Sequence, residues 1–209
     1  MADGPCELAF AEAAEKDGVV LAEPWLDWLC EQGHLGIGRI ADESEDDAFI
    51  DRVAAPVEVL GEIYYELGGD LAVRYACRAN LLIPGSFIHE PTNTLIEIDE
   101  APHFTSFRLM TLDRYPASLE LGYDIDEYRD LCRKYADEYD GYRRAVAAKG
   151  FGIGGGQRQL AYRDAMRDVA APVMGHPPVV RIPALDGDGA AAYARNRDSL
   201  LKLLGTPAI

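Results

Sequence analysis

Glu97 and Asp99 stand two residues apart in TLIEIDEAPHF, residues 94–104, whose first half alternates apolar and acidic side chains. On an extended strand, that period of two puts both carboxylates on one face and Ile96 and Ile98 on the other. Two carboxylates this close repel, and the arrangement is most easily kept where a cation or a base sits between them. Glu100 and His103 follow where the chain leaves the strand, adding an acid and an imidazole that titrates near neutrality. The set points to divalent-cation binding and proton transfer. The competing view of the same spacing is a solvated acidic face on an antiparallel strand.

The elements that must position these residues follow from periodicity. Phe49, Val53, Val57, Leu60, Ile63, Tyr64 and Leu67 form a helical stripe over residues 48–67, which Gly68-Gly69 ends. On that helix Glu58, Glu62 and Glu66 recur every four residues, and one of them could face the acidic strand. Residues 71–75 and 77–83 read as strands, with Asn80 and Arg78 in the second and a turn at Pro84-Gly85 before the acidic strand. Residues 104–115 suggest a helix or a packed extended segment. A tyrosine-bearing helix is expected over 126–148, a second helix over 157–174, a short strand at 179–183 and a last helix over 190–204. The glycine-rich residues 150–156 lack the GK[ST] of a phosphate loop and read as a mobile loop. Ahead of all this, residues 1–47 read as an N-terminal helical extension, with Pro24 opening a helix that carries Trp25 and Trp28 on one face. Residues 48–209 form the main domain.

Hydrophobic residues are 48% of the 209 and charged residues 27%, so an ordinary folded domain is expected rather than disorder. No apolar run approaches the ~20 residues of a membrane span. The opening MADGPCELAFAEAAEKDG has no basic, apolar leader pattern, so no membrane partner and a cytoplasmic location are expected. The four cysteines are scattered without CxxC spacing, which argues against a structural zinc. The net charge of −16 runs against nucleic-acid binding, because phosphate contacts draw on Lys and Arg. The charge is uneven, however. Much of it lies in the acidic residues 42–47, and most arginines lie in the later part of the chain.

The coarse order is helix, three strands, helices, strand, helix, with Asn80-Leu81-Leu82-Ile83, Leu95-Ile96-Glu97-Ile98-Asp99-Glu100, His103, and a later Asp164, Arg167 and Val179-Val180-Arg181-Ile182. In this order and these motifs the chain resembles the PD-(D/E)XK, restriction-endonuclease-like superfamily, in particular its small very-short-patch-repair-like members, over about residues 50–185. The resemblance implies an α/β (α+β) fold with an αβββαβ core, a mixed central sheet flanked by helices, and extra N- and C-terminal helices. It implies a metal-dependent nuclease, in defence or DNA processing, that hydrolyses phosphodiester bonds with Mg2+ or Mn2+ on DNA in preference to RNA. Carried over, the metal ligands would be Glu62, Asn80, Glu97 and Asp99, and the catalytic residues Glu97, Asp99 and His103. Arg78, Arg108, Gln157, Arg158 and Arg181 would contact nucleic acid. Asn80 stands where the family has an aspartate, and Asp99 where it has a lysine. These departures leave two alternatives open: a catalytically degenerate interaction module with a protein partner or a second copy of itself, and an enzyme for a small nucleotide-like substrate.

Overall fold

Among the described residues of the computed structural model, 4–24, 26, 46–76, 87–142 and 144–205, the chain is mixed α/β, with seven α-helices, a three-stranded mixed sheet and a two-stranded ribbon. Helix α1 (Pro5–Lys16) starts at a proline, whose missing N–H costs nothing in a first turn, and Glu7 reaches back to the Gly4 N–H at 3.1 Å. Helix α2 (Asp47–Glu66) is capped by Asp46, whose carboxylate accepts from the N–H groups of Ala48 and Phe49. Its stripe buries Val53, Leu60, Ile63 and Tyr64, in accord with the periodicity.

The sheet is what positions the acidic stretch. Strand β1 (Phe87–His89) pairs antiparallel with β2 (Thr94–Glu100), which pairs parallel with β5 (Val180–Ala184) and sets Glu97 opposite Arg181. A parallel partner requires a long crossover. It runs through α4 (Ser106–Leu112), α5 (Ile125–Tyr139), the ribbon of β3 (Ala147–Ala148) and β4 (Gly152–Ile153), and α6 (Gly156–Val173).

Both faces of β2 are buried. Ile96 and Ile98, with Val180 and Ile182 beside them, pack under α1 and α7 (Gly189–Leu204) against Phe10, Tyr193 and Leu201. Those helices meet closely because Gly189 lies on the Cys6 carbonyl, where a Cβ would not fit. On the other face Leu95 joins the core between α2 and α6, with Leu60, Tyr64, Met166 and Val169. Glu97 and Asp99 point the same way as Leu95, so the acidic face is covered rather than solvated.

Several expectations change. Residues 71–75 are not a strand but part of helix α3 (Leu71–Ala76), because the Asp70 carboxylate accepts from the N–H groups of Ala72 at 2.8 Å and Val73 at 3.3 Å and starts a helix there. The tyrosine helix ends at Tyr139 rather than 148, where Asp140 turns to bind the Ser106 N–H at 2.8 Å and hydroxyl at 2.6 Å. Within the glycine-rich residues 150–156, Gly152 and Ile153 form β4, which pairs back onto β3. The expected strand at 77–83, with Arg78 and Asn80, and the Trp25/Trp28 helix lie outside the described residues.

Candidate metal centre and buried charge network

The exit of β2 gathers the ionisable side chains. Asp99 is 1% exposed, and both its oxygens accept from Arg181 Nη1, at 3.0 and 2.9 Å, while the Tyr128 hydroxyl donates to Oδ2 at 3.1 Å. A tight turn through Ala101–His103 then brings His103 back over the strand end. Its Nδ1 lies 3.3 Å from Asp99 Oδ1 and 3.0 Å from Oδ2 of Asp164, which α6 delivers from the other side. His103 is the member of this trio that solvent reaches, with its side chain 23% exposed.

One turn further along α6, Asp168 is a hub. Its Oδ2 accepts from Arg108 Nη2 at 2.6 Å, the Tyr115 hydroxyl at 2.7 Å and the Tyr123 hydroxyl at 2.8 Å, and its Oδ1 from Arg181 Nε at 2.8 Å. Four donors thus surround one carboxylate, three of them on Oδ2. Arg181 ties the two halves together, since Nη2 also donates to the Asp164 carbonyl at 3.1 Å. Glu97, on the same strand face, lies 3.3 Å from Arg167 Nε. Burying an unpaired ion costs several kcal/mol, about 3–5 when one partner of a buried pair is removed, which is why so many arginines accompany the acids.

Burial raises the Glu97 carboxyl above its usual range, although Arg167 and Arg181 pull the other way. For His103, burial would favour the neutral ring, but Asp164 and Asp99 together lift its pKa above the ordinary histidine value. Asp164 and Asp168 resist burial and are held below the usual carboxylate range, chiefly by Arg181, with His103 assisting at Asp164 and Arg108 at Asp168. Burial keeps the Tyr115, Tyr123 and Tyr128 phenols protonated and hence donating. With His103 protonated, Glu97, Asp99, Asp164 and Asp168 balance Arg108, Arg167, Arg181 and His103. Burial pushes the Cys6 thiol up to about 11 and the Cys132 thiol up to about 12, which disfavours the thiolate form at both.

Asp99, His103 and Asp164 each offer one donor atom, and the three lie within 4.8 Å of one another, a spread that could hold a metal ion. Asp164 turns Oδ2 toward His103 and Oδ1 toward Arg167 and Arg181, so one oxygen is directed into the trio. Two carboxylates with an imidazole suit Mn2+ or another first-row ion better than Mg2+, which favours oxygen donors throughout. A divalent ion and the His103 proton would compete for the same atoms.

The residues named from sequence divide sharply. Asp99 and His103 meet at 3.3 Å, whereas Glu97 lies on the same strand face against Arg167 and outside the trio, whose third member is Asp164. Glu62 is exposed on α2, outside the trio, and its neighbour Glu66 pairs with Arg114. Arg108 and Arg181 are buried at 1% and 4% exposure and saturated by carboxylates and phenols, so they brace the network instead of contacting nucleic acid. Gln157 is buried as well, with its amide spent on the carbonyls of Pro102 at 2.8 Å and Tyr139 at 3.2 Å. Arg158 is half-buried, stacked over the Phe107 ring at 5.4 Å. Asp164, Asp168 and Tyr128 were not among the expected site residues. The signal for the two acids is their four-residue spacing on one helix face, opposite a lone arginine in an apolar strand. Compared with protein-family models, curated proteins and solved structures, the chain matches none of them.

Proposed function

We propose that this chain is a metal-dependent phosphodiesterase of the restriction-endonuclease-like kind, acting on nucleic acid, with DNA as the preferred substrate. The observation that carries the reading is the convergence of one oxygen each from Asp99 and Asp164 on the solvent-reached imidazole of His103, at the end of the central strand. The antiparallel hairpin followed by a helical crossover to a parallel strand supports the resemblance as well. Asp99, His103 and Asp164 would hold the ion, Mn2+ in preference to Mg2+, which would supply Lewis-acid polarisation of a phosphate and an acidified water. Glu97 lies on the same strand face, paired with Arg167 and with a raised proton affinity, and would be the group that holds a proton beside the centre. Arg181 and Arg167 are positioning residues that fix Asp99 and Glu97.

One observation favours a second reading, a non-catalytic interaction module. Arg181 engages both oxygens of Asp99, and the cluster balances its own charge without any ion. Hydrolysis of plasmid DNA and of bis(4-nitrophenyl) phosphate with Mn2+ separates the two. The phosphodiesterase reading requires Glu97→Gln and His103→Ala each to lower turnover by about 10²–10⁴ while near-ultraviolet dichroism stays unchanged, the range typical of a lost acid–base group. Turnover equal to that of the unaltered chain in both variants leaves the interaction module.

A further inference from the structure

We infer that the β3–β4 ribbon and the first turn of α6 form a polyanion-binding surface that seats a nucleic-acid duplex beside His103. Between Asp140 and Asp164 the sequence has no acidic residue but carries Arg143, Arg144, Lys149, Arg158 and Arg163, in a chain whose net charge is −16. Charges beyond the Debye length, about 8 Å at physiological salt, are largely screened, so the segment's cations weigh against only the acids that adjoin it, among them Asp140 and Asp70, whose N–H meets the Gly150 carbonyl.

The segment is displayed on a rigid mount. Phe151 is buried against Tyr64 and Tyr162, with ring centroids 4.9 and 6.1 Å away, and the Gly150 carbonyl accepts from the Asp70 N–H at 2.7 Å. Around that anchor Arg144 and Lys149 are exposed, and Ile153, 85% exposed, stands out from the ribbon between Gly152 and Gly154. A two-stranded ribbon is an element a major groove admits, and an exposed isoleucine beside cations is the kind of apolar contact that bases accept. Among the described residues the large apolar side chains exposed on the ribbon and its approach are Tyr142, Val146 and Ile153, too little area for the broad apolar face that anchors a helix in a membrane interface.

The ribbon is also tied to the candidate centre. Gln157, in the first turn of α6, holds the carbonyl of Pro102, the residue before His103, at 2.8 Å. Arg158, next along, leans over Phe107 on α4. A phosphate backbone lying along Arg144, Lys149 and Arg158 therefore passes beside the one solvent-reached member of the trio. That adjacency rests on the phosphodiesterase reading, whereas binding by the ribbon does not, so the test is run in chelator, where hydrolysis plays no part.

Fluorescence anisotropy of a labelled 20-base-pair duplex in EDTA, across a salt series, compares the unaltered chain with Arg144→Gln/Lys149→Gln/Arg158→Gln and with Ile153→Ser. Each neutralised phosphate contributes about −0.9 to the slope of log K against log salt, so three contacts contribute roughly −2.7, or about a 40-fold loss of affinity from 50 to 200 mM salt. The triple variant is expected to bind more weakly with a slope shallower by that amount. Ile153→Ser is expected to lose affinity at unchanged slope. Equal affinity and slope in the triple variant, no duplex binding by the unaltered chain, or binding confined to phosphatidylglycerol vesicles each overturns the inference. Duplex binding by the ribbon in a chain that hydrolyses nothing would uphold it and sink only the phosphodiesterase reading.

Discussion

Replacing Asp168 by Asn removes one negative charge from between two buried guanidinium groups while keeping the side chain's volume. Arg108 Nη2 at 2.6 Å and Arg181 Nε at 2.8 Å would then face an amide, and both arginines are buried, so water cannot take over. The amide also presents its own NH2 where one carboxylate oxygen accepted, leaving at least one of the four present donors opposed by another donor. Breaking a buried pair on one side typically costs about 3–5 kcal/mol. In a chain of this size that is a fall of roughly 6–20 °C in Tm, at about 2–4 °C per kcal/mol. Urea unfolding at pH 7, followed by tyrosine fluorescence and far-ultraviolet dichroism, reads the change directly. Asp130→Asn is the control, because Asp130 meets Arg133 with side chains 78% and 56% exposed, and no measurable loss is expected there. A loss under about 1 kcal/mol in Asp168→Asn would refute the account of the network as a mutually dependent set of buried ions.

Other consequences are equally open to measurement. Asp164 and Asp168, with depressed pKa, contribute stability that is present above the ordinary carboxylate value and lost as pH falls toward their folded pKa; His103, with a raised pKa, contributes stability that is complete below the ordinary histidine value and lost as pH rises through its folded pKa. Glu97, also raised, acts in the same sense as His103, so urea midpoints are expected to peak between about pH 4 and 6.5, and His103→Gln to shrink the alkaline decline. A midpoint that climbs steadily to pH 9 in the unaltered chain contradicts that assignment. Gly150 has φ of 83° and faces the Tyr64 hydroxyl, so Gly150→Val is expected to cost at least about 1–3 kcal/mol of strain and to loosen the ribbon. Hydrogen exchange at Ala148 and Phe151 no faster than in the unaltered chain would count against the anchor.

Much of the scaffold was legible because it is local. The stripe through Val53, Leu60 and Ile63 needs only the 3.6-residue period, and the alternation from Leu95 to Asp99 needs only the pleat. Residues 71–75 resemble a strand because Val73 and Tyr75 favour one, while the deciding group, the Asp70 cap, lies one residue outside the run. The helix over 126–148 was read too long because Asp140 answers to Ser106, a partner 34 residues earlier that no window of periodicity contains. The site divides in the same way. That Glu97 and Asp99 share a face follows from spacing, but that the face is covered depends on α6, more than 50 residues downstream. Arg108 and Arg181 looked like phosphate contacts because an arginine's charge is visible in sequence and its counter-ion is not. Arg181 did carry a clue, since an arginine between Val180 and Ile182 in a buried strand must bring a carboxylate with it.

The central claim is that the carboxylates of Asp99 and Asp164, with His103 between them, form a divalent-ion site. Isothermal titration of Mn2+ into the chain at pH 6, in two buffers of different ionisation enthalpy, tests this against His103→Ala. Micromolar to low-millimolar binding that releases about one proton from His103 and is lost in the variant is expected. No binding, or binding that His103→Ala leaves intact with no proton released, contradicts it.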